Sequence, residues 1–179
     1  MFSIDKSLLL VIDIQGKLAE LMTDREKTYQ NAEILIKGAK ILNIPILLTE
    51  QYPKGLGHTI EPLATLLQDI TPIDKTAFSC CGDATFMKAL ESSHRKQIII
   101  CGIETHICVY QTSIELLEKN YAIEVIADAV SSRTIENKHI GLDKIKSAGG
   151  NISCTETILF ELLKKAEGAE FKEISRLVK

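Results

Sequence analysis

Three residues far apart in the chain have side chains that could share a proton: Asp13, Lys75 and Cys108. A thiol is a strong nucleophile only as the thiolate, so chemistry at Cys108 needs a proton acceptor and a nearby positive charge. A carboxylate supplies the first and an ammonium the second. Each residue also has a purely structural reading. Asp13 ends an apolar run and can equally cap the turn after it. Lys75 can be an ordinary solvated lysine. Cys108 can be a small buried side chain that packs a helix on a sheet. Its setting, Gly102-Ile103-Glu104-Thr105-His106-Ile107-Cys108-Val109, adds one consideration. With Thr105 as N-cap, the thiol falls in a first helical turn. There, unpaired backbone N–H groups and the helix dipole favour an anion and lower a thiol's pKa. The same N–H groups could hold an oxyanion.

Rival sites are less well placed. Cys80-Cys81 is a second nucleophile pair, with no helix start beneath it before Asp83; it leaves open a redox-responsive reading. The five cysteines (80, 81, 101, 108 and 154) are odd in number and form no CxxC. Without a secretion signal, disulfides are not expected. His58, His94, His106 and His139 form neither HxH nor HExxH, and none stands at zinc-ligand spacing from a cysteine, so no metal is expected. His106 adjoins Cys108, but neighbouring helical positions point apart. The chain lacks GxGxxG and GxxxxGK[ST], so no nucleotide cofactor is expected.

These residues must be brought together by the elements between them. Ser7–Asp13 is an apolar run closed by an acid, as in a strand buried on both faces. Pro45–Thr49, Pro72–Lys75, Gln97–Cys101, Ala122–Ala127 and Asn151–Cys154 read as five further strands. Helices are expected over Tyr29–Leu42, Glu61–Leu67, Asp83–Glu91, Thr105–Glu118, Thr134–Ala148, Thr155–Lys164 and Phe171–Leu177. Gln51–His58 reads as a loop. Strands alternating with helices call for an α/β fold: three layers, α/β/α, around a doubly wound six-stranded parallel sheet in the order 3-2-1-4-5-6. Ligands bind beyond the carboxyl ends of such strands, where the winding reverses. That point lies between strand 1, which ends at Asp13, and strand 4, which leads to Cys108.

Composition narrows the function classes. The 179 residues suit a single domain, 1–179, with 45% hydrophobic and 25% charged residues. The net charge of −3 gives no sign of a nucleic-acid or membrane partner. No apolar run approaches a spanning length, and no signal segment is read, so a cytoplasmic protein acting on a small molecule is expected.

The chain resembles the isochorismatase-like cysteine hydrolases, on LLLVIDIQ (8–15), DKTAFS (74–79), GIETHICV (102–109) and DAVSSR (128–133). The resemblance implies a catalytic triad of Asp13, Lys75 and Cys108 and a cis peptide at Ile103–Glu104. It also implies an oxyanion hole from the backbone N–H groups of Glu104 and Cys108. Gln15, Gln51, Tyr52, Phe78 and Glu104 are then candidates to line the substrate pocket, with Glu104 selecting a donor or positive group. Metal-dependent members carry Asp-x-His after strand 2; here Thr49-Glu50-Gln51-Tyr52-Pro53 stands there, which implies a metal-free branch. Members that open a vinyl ether do not use the cysteine, so Cys108 points to acyl transfer on a small amide. Leu18 stands where relatives often carry an aromatic. A homo-oligomer is expected, as in many relatives. The alternative is a binding or scaffold protein that keeps the fold without turnover.

Overall fold

Runs rich in leucine, isoleucine and valine form the strands: β1 (Ser7–Ile12), β2 (Ile46–Gln51), β3 (Ile73–Lys75), β4 (Gln97–Ile103), β5 (Ala122–Ser131) and β6 (Asn151–Ser153). They are seen in a computed structural model that describes residues 1–179. All six pair in parallel, in the expected order β3-β2-β1-β4-β5-β6. Between and after them lie α1 (Gly16–Glu20), α2 (Arg25–Ile41), α3 (Pro53–Leu56), α4 (Glu61–Leu66), α5 (Ala84–Ser92), α6 (Tyr110–Glu118), α7 (Ile135–Ser147), α8 (Thr155–Leu163) and α9 (Gly168–Leu177).

Helices cover both faces, which is why β1 is buried at every position. Alternate residues feed two cores. Leu9 and Val11 of β1 join Leu35, Ile36 and Ala39 of α2 and Ile158, Leu159 and Leu162 of α8. Leu8, Leu10 and Ile12 join Phe86 and Leu90 of α5, Leu116 of α6 and Ile145 of α7. Each such side chain contributes roughly 1.5–3 kcal/mol relative to leaving it in water. Asp83 caps α5 by accepting from the Phe86 N–H at 2.9 Å, and Thr134 caps α7 through the Asn137 N–H. No helix is long and apolar enough to cross a membrane.

Three differences from the expected elements concern the site. Short α3 occupies a segment read as loop, and short α1 lies where no element was expected. The strand expected over Ala122–Ala127 runs on to Ser131. Its register against β4 jumps from Val125 opposite Ile100 to Val130 opposite Gly102. The irregular stretch carries Asp128 off the sheet, where it accepts from the Thr155 N–H and hydroxyl at the start of α8. The strand then resumes and delivers Ser132 and Arg133 to the carboxyl edge.

The segment bearing Cys108 is pinned by α7. A methyl added at Gly141 would lie 2.8 Å from the Thr105 carbonyl and 2.9 Å from the His106 Cα. Backbone cannot retreat as a side-chain tip can. Gly141→Ala is therefore expected to lose about 1–3 kcal/mol in urea unfolding, although alanine is intrinsically the better helix former. An unchanged midpoint would refute this close packing.

Candidate active site

Asp13 follows β1 directly, in a left-handed conformation with φ +53°. Its N–H donates to the Thr49 carbonyl at 3.2 Å, which ties the turn to β2. Lys75 is the last residue of β3 and lies opposite Gln51. The two side chains therefore come from strands separated by β2, and they meet across it. Lys75 Nζ lies 2.6 Å from Asp13 Oδ2 and 2.7 Å from Gln51 Oε1. It also lies 3.2 and 3.3 Å from the Phe78 and Ala77 carbonyls. The Lys75 and Asp13 side chains are 0% and 1% exposed. Burial alone would depress the ammonium's pKa. The Asp13 charge, then Cys80 and Cys108, outweigh it, and the pKa is raised above the ordinary lysine value.

Cys108 approaches the same carboxylate from the far side. It does not stand in a first α-helical turn, as expected, but in a π-helical turn over Thr105–Val109 that precedes α6. The Glu104 carbonyl accepts from Ile107 N at 3.0 Å and from Val109 N at 3.2 Å, and the wider second loop makes the π turn. Thr105 is not a cap: its hydroxyl is buried and without a partner. The Ile103–Glu104 peptide is cis. Cys108 is only 7% exposed. Its thiol is pushed up to about 12 by burial first, then by the Asp13 charge, with Lys75 opposing. The expected lowering at a helix start is thus overturned: desolvation and the adjacent anion outweigh the dipole. At rest the sulfur keeps its proton.

The other expected pocket residues divide. Glu104 does not offer its carboxylate to a positive substrate group. It is 4% exposed, and its Oε2 accepts from the Arg133 backbone N–H and from Arg133 Nε, both at 3.1 Å. Gln15 is fully buried and braces the loop rather than lining a pocket. Its Nε2 donates to the carbonyls of Gln51 and Gly57, and its Oε1 accepts from Gln51 N. Gln51 bonds Lys75 through its oxygen and the Thr76 carbonyl through its nitrogen, so it positions the ammonium. Tyr52 and Phe78 are 56% and 55% exposed at the ends of β2 and β3. His106 Nδ1 pairs with the Ser132 hydroxyl at 3.0 Å, away from any dyad role with Cys108.

Residues without an assigned role also enter. Thr49 donates to Asp13 Oδ1 at 2.8 Å. Cys80 is fully buried behind Thr49, where no substrate reaches it, whereas Cys108 keeps a small exposed edge. Arg133 belongs to the quoted DAVSSR piece, yet nothing in its spacing names Glu104 as its partner. Glu50, at the expected metal-ligand position, is occupied: Thr59 N–H and hydroxyl donate to Oε1, both at 2.7 Å, and His58 meets Oε2 at 2.9 Å. Burial would raise its pKa, but these bonds outweigh it and hold the carboxylate below its ordinary value. No group of three or more His, Cys, Asp or Glu side chains stands together as a metal cage.

Breaking the buried pair from one side strands a charge. Lys75→Met is expected to cost about 3–5 kcal/mol in urea unfolding at neutral pH. The double variant with Asp13→Asn should recover part of that loss. Equal losses in the single and double variants would show that packing, not the ion pair, carries the effect.

With the geometry established, comparison with known proteins is informative. The chain matches the Isochorismatase domain over residues 7–157. It is 38% identical over 173 residues to isochorismatase family protein 1A of Dictyostelium discoideum, covering 94% of this chain and 84% of that protein. Among solved structures it superposes on one described as a MAR1 ribonuclease from Caenorhabditis elegans. There the TM-score is 0.93 and the identity 35%, covering 99% of this chain and 91% of that one. The YcaC gene product of Escherichia coli, described as an octameric hydrolase of unknown specificity, shares the fold at TM-score 0.92 and 22% identity, covering 98% and 89%. The sheet order, the domain match and the extent of these likenesses agree, and the chain belongs to the isochorismatase-domain family.

Proposed function

We propose that this protein is a cysteine hydrolase that cleaves a small amide through a thioester on Cys108, with Asp13 as proton carrier and Lys75 as its fixed countercharge. One observation carries the reading: a fully buried ammonium 2.6 Å from a carboxylate, whose charge also reaches the Cys108 thiol. As substrate binds, the sulfur's proton passes to Asp13 and the sulfur attacks the carbonyl carbon. The backbone N–H groups of Glu104 and Cys108 stabilise the oxyanion. The C–N bond then breaks and Asp13 returns the proton to the leaving nitrogen. Water attacks the thioester, losing a proton to Asp13; the C–S bond breaks, and the proton returns to sulfur. Lys75 keeps a positive charge beside Asp13 throughout. The thiol's raised pKa fits this order, because the thiolate forms only as a proton moves within the site.

The two cations held by the site's buried carboxylates are paired: Lys75 with Asp13 and Arg133 with Glu104. Together with the net charge of −3, this favours an uncharged small molecule over a polyanion such as RNA, although the nematode relative bears the name ribonuclease. A homo-oligomer is supported by the octameric assembly described for the YcaC gene product, which shares the fold.

The test is a screen of small amides and esters with intact-mass detection of an acyl-enzyme. Cys108→Ala and Cys108→Ser are expected to abolish the adduct and to cut turnover by at least roughly a thousandfold. Undiminished turnover in either variant would reject Cys108 as the nucleophile.

A further inference from the structure

We infer that Thr49, backed by the thiol of Cys80, is a positioning residue that holds the Asp13 carboxylate in the orientation that receives the Cys108 proton. This rests on the proposed role of Asp13 as proton carrier and adds a residue on which that role depends.

An ionised carboxylate only accepts, so the 2.8 Å contact between Thr49 Oγ1 and Asp13 Oδ1 is a bond donated by the hydroxyl. The hydroxyl has one proton. Its lone pairs remain free to accept, and Cys80 Sγ lies 3.8 Å away as the donor. The Cys80 backbone is itself fixed, since its N–H donates to Thr112 Oγ1 at 2.9 Å. The result is a one-way chain from Cys80 to Thr49 to Asp13, in which no member is more than 1% exposed. The charged and titratable groups facing Asp13 are Lys75 from β3, Cys80 from the turn before α5 and Cys108 from the π turn. Lys75 holds one carboxylate oxygen, Oδ2. A carboxylate held at one oxygen can still swing about its Cβ–Cγ bond. The Thr49 bond at the second oxygen removes that freedom. Proton transfer demands such alignment, and small misplacements lower its rate steeply.

The experiment is the pH profile of Cys108 alkylation by iodoacetamide, followed residue by residue by mass spectrometry on the full chain. It needs no substrate. The wild-type rate is expected to be nearly flat around neutral pH, because the proton goes to Asp13 and not to hydroxide. Thr49→Val keeps the side chain's shape and loses the hydroxyl. It is expected to react about tenfold more slowly at pH 7 and to climb about tenfold per pH unit, as an unassisted thiol does. Thr49→Ser should restore the flat profile. If the valine variant does not fold, Thr49→Ala takes its place with the same expectation. A valine or alanine variant with the wild-type profile overturns the inference, as does a serine variant that behaves like valine. Asp13→Asn separates the two levels. If it keeps the wild-type profile, the proposed role of Asp13 fails and the inference with it. If it climbs with pH while Thr49→Val stays flat, only the role of Thr49 fails.

Discussion

The contact between Asp13 and Lys75, sealed from water, is the constraint to which the rest of the site answers. Two unit charges without solvent are tolerable only as a close pair whose remaining lone pairs and protons are satisfied. Every nearby element contributes to that. Gln51 and the carbonyls of Ala77 and Phe78 surround the ammonium. Thr49 takes the second carboxylate oxygen. Gln15 locks the strand that carries Gln51. The strand order serves the same demand, because β2 brings Thr49 and Gln51 between the acid and the lysine. The fold is therefore a holder for one pair of charges, against which a sulfur is set.

That sulfur is held in reserve. A standing thiolate would react with an electrophile unaided; a thiol pushed up to about 12 must first lose its proton. On the proposed mechanism it loses it to Asp13 as an electrophile engages the sulfur. The Glu104–Arg133 pair acts alongside, joining the turn at the end of β4 to the end of β5. It ties down the backbone around the proposed nucleophile and leaves the buried Glu104 carboxylate paired.

Much of this was legible in the residues. Unbroken apolar runs at Leu8–Ile12 and Ile98–Cys101, alternating with amphipathic helices, allow little other than a parallel sheet covered on both faces. The switch between β1 and β4 follows from that order. What was hidden depends on contacts between distant segments. Nothing local marks the π turn, because it arises where two N–H groups compete for the Glu104 carbonyl. Nothing in the spacing pairs Glu104 with Arg133, so its carboxylate looked available. Gln15 looked like a lining residue because a polar side chain after a strand usually is; its burial appears only once Gly57 folds back over it. The thiol's environment misled for the same reason. A helix start is visible in sequence, whereas the depth of the site and the field of a folded carboxylate are not.

The lysine of this site stands on β3, a strand of only three residues at the border of the sheet, paired on one side alone. Border strands separate at lower free energy than the interior of a sheet. Fraying there would withdraw the ammonium from Asp13 while β1, β4 and both hydrophobic cores stay intact. If the proposed mechanism holds, catalytic competence and global folding are thus set by different thresholds. Under gentle heating or dilute denaturant, the molecule would fall silent while most of its architecture still stood.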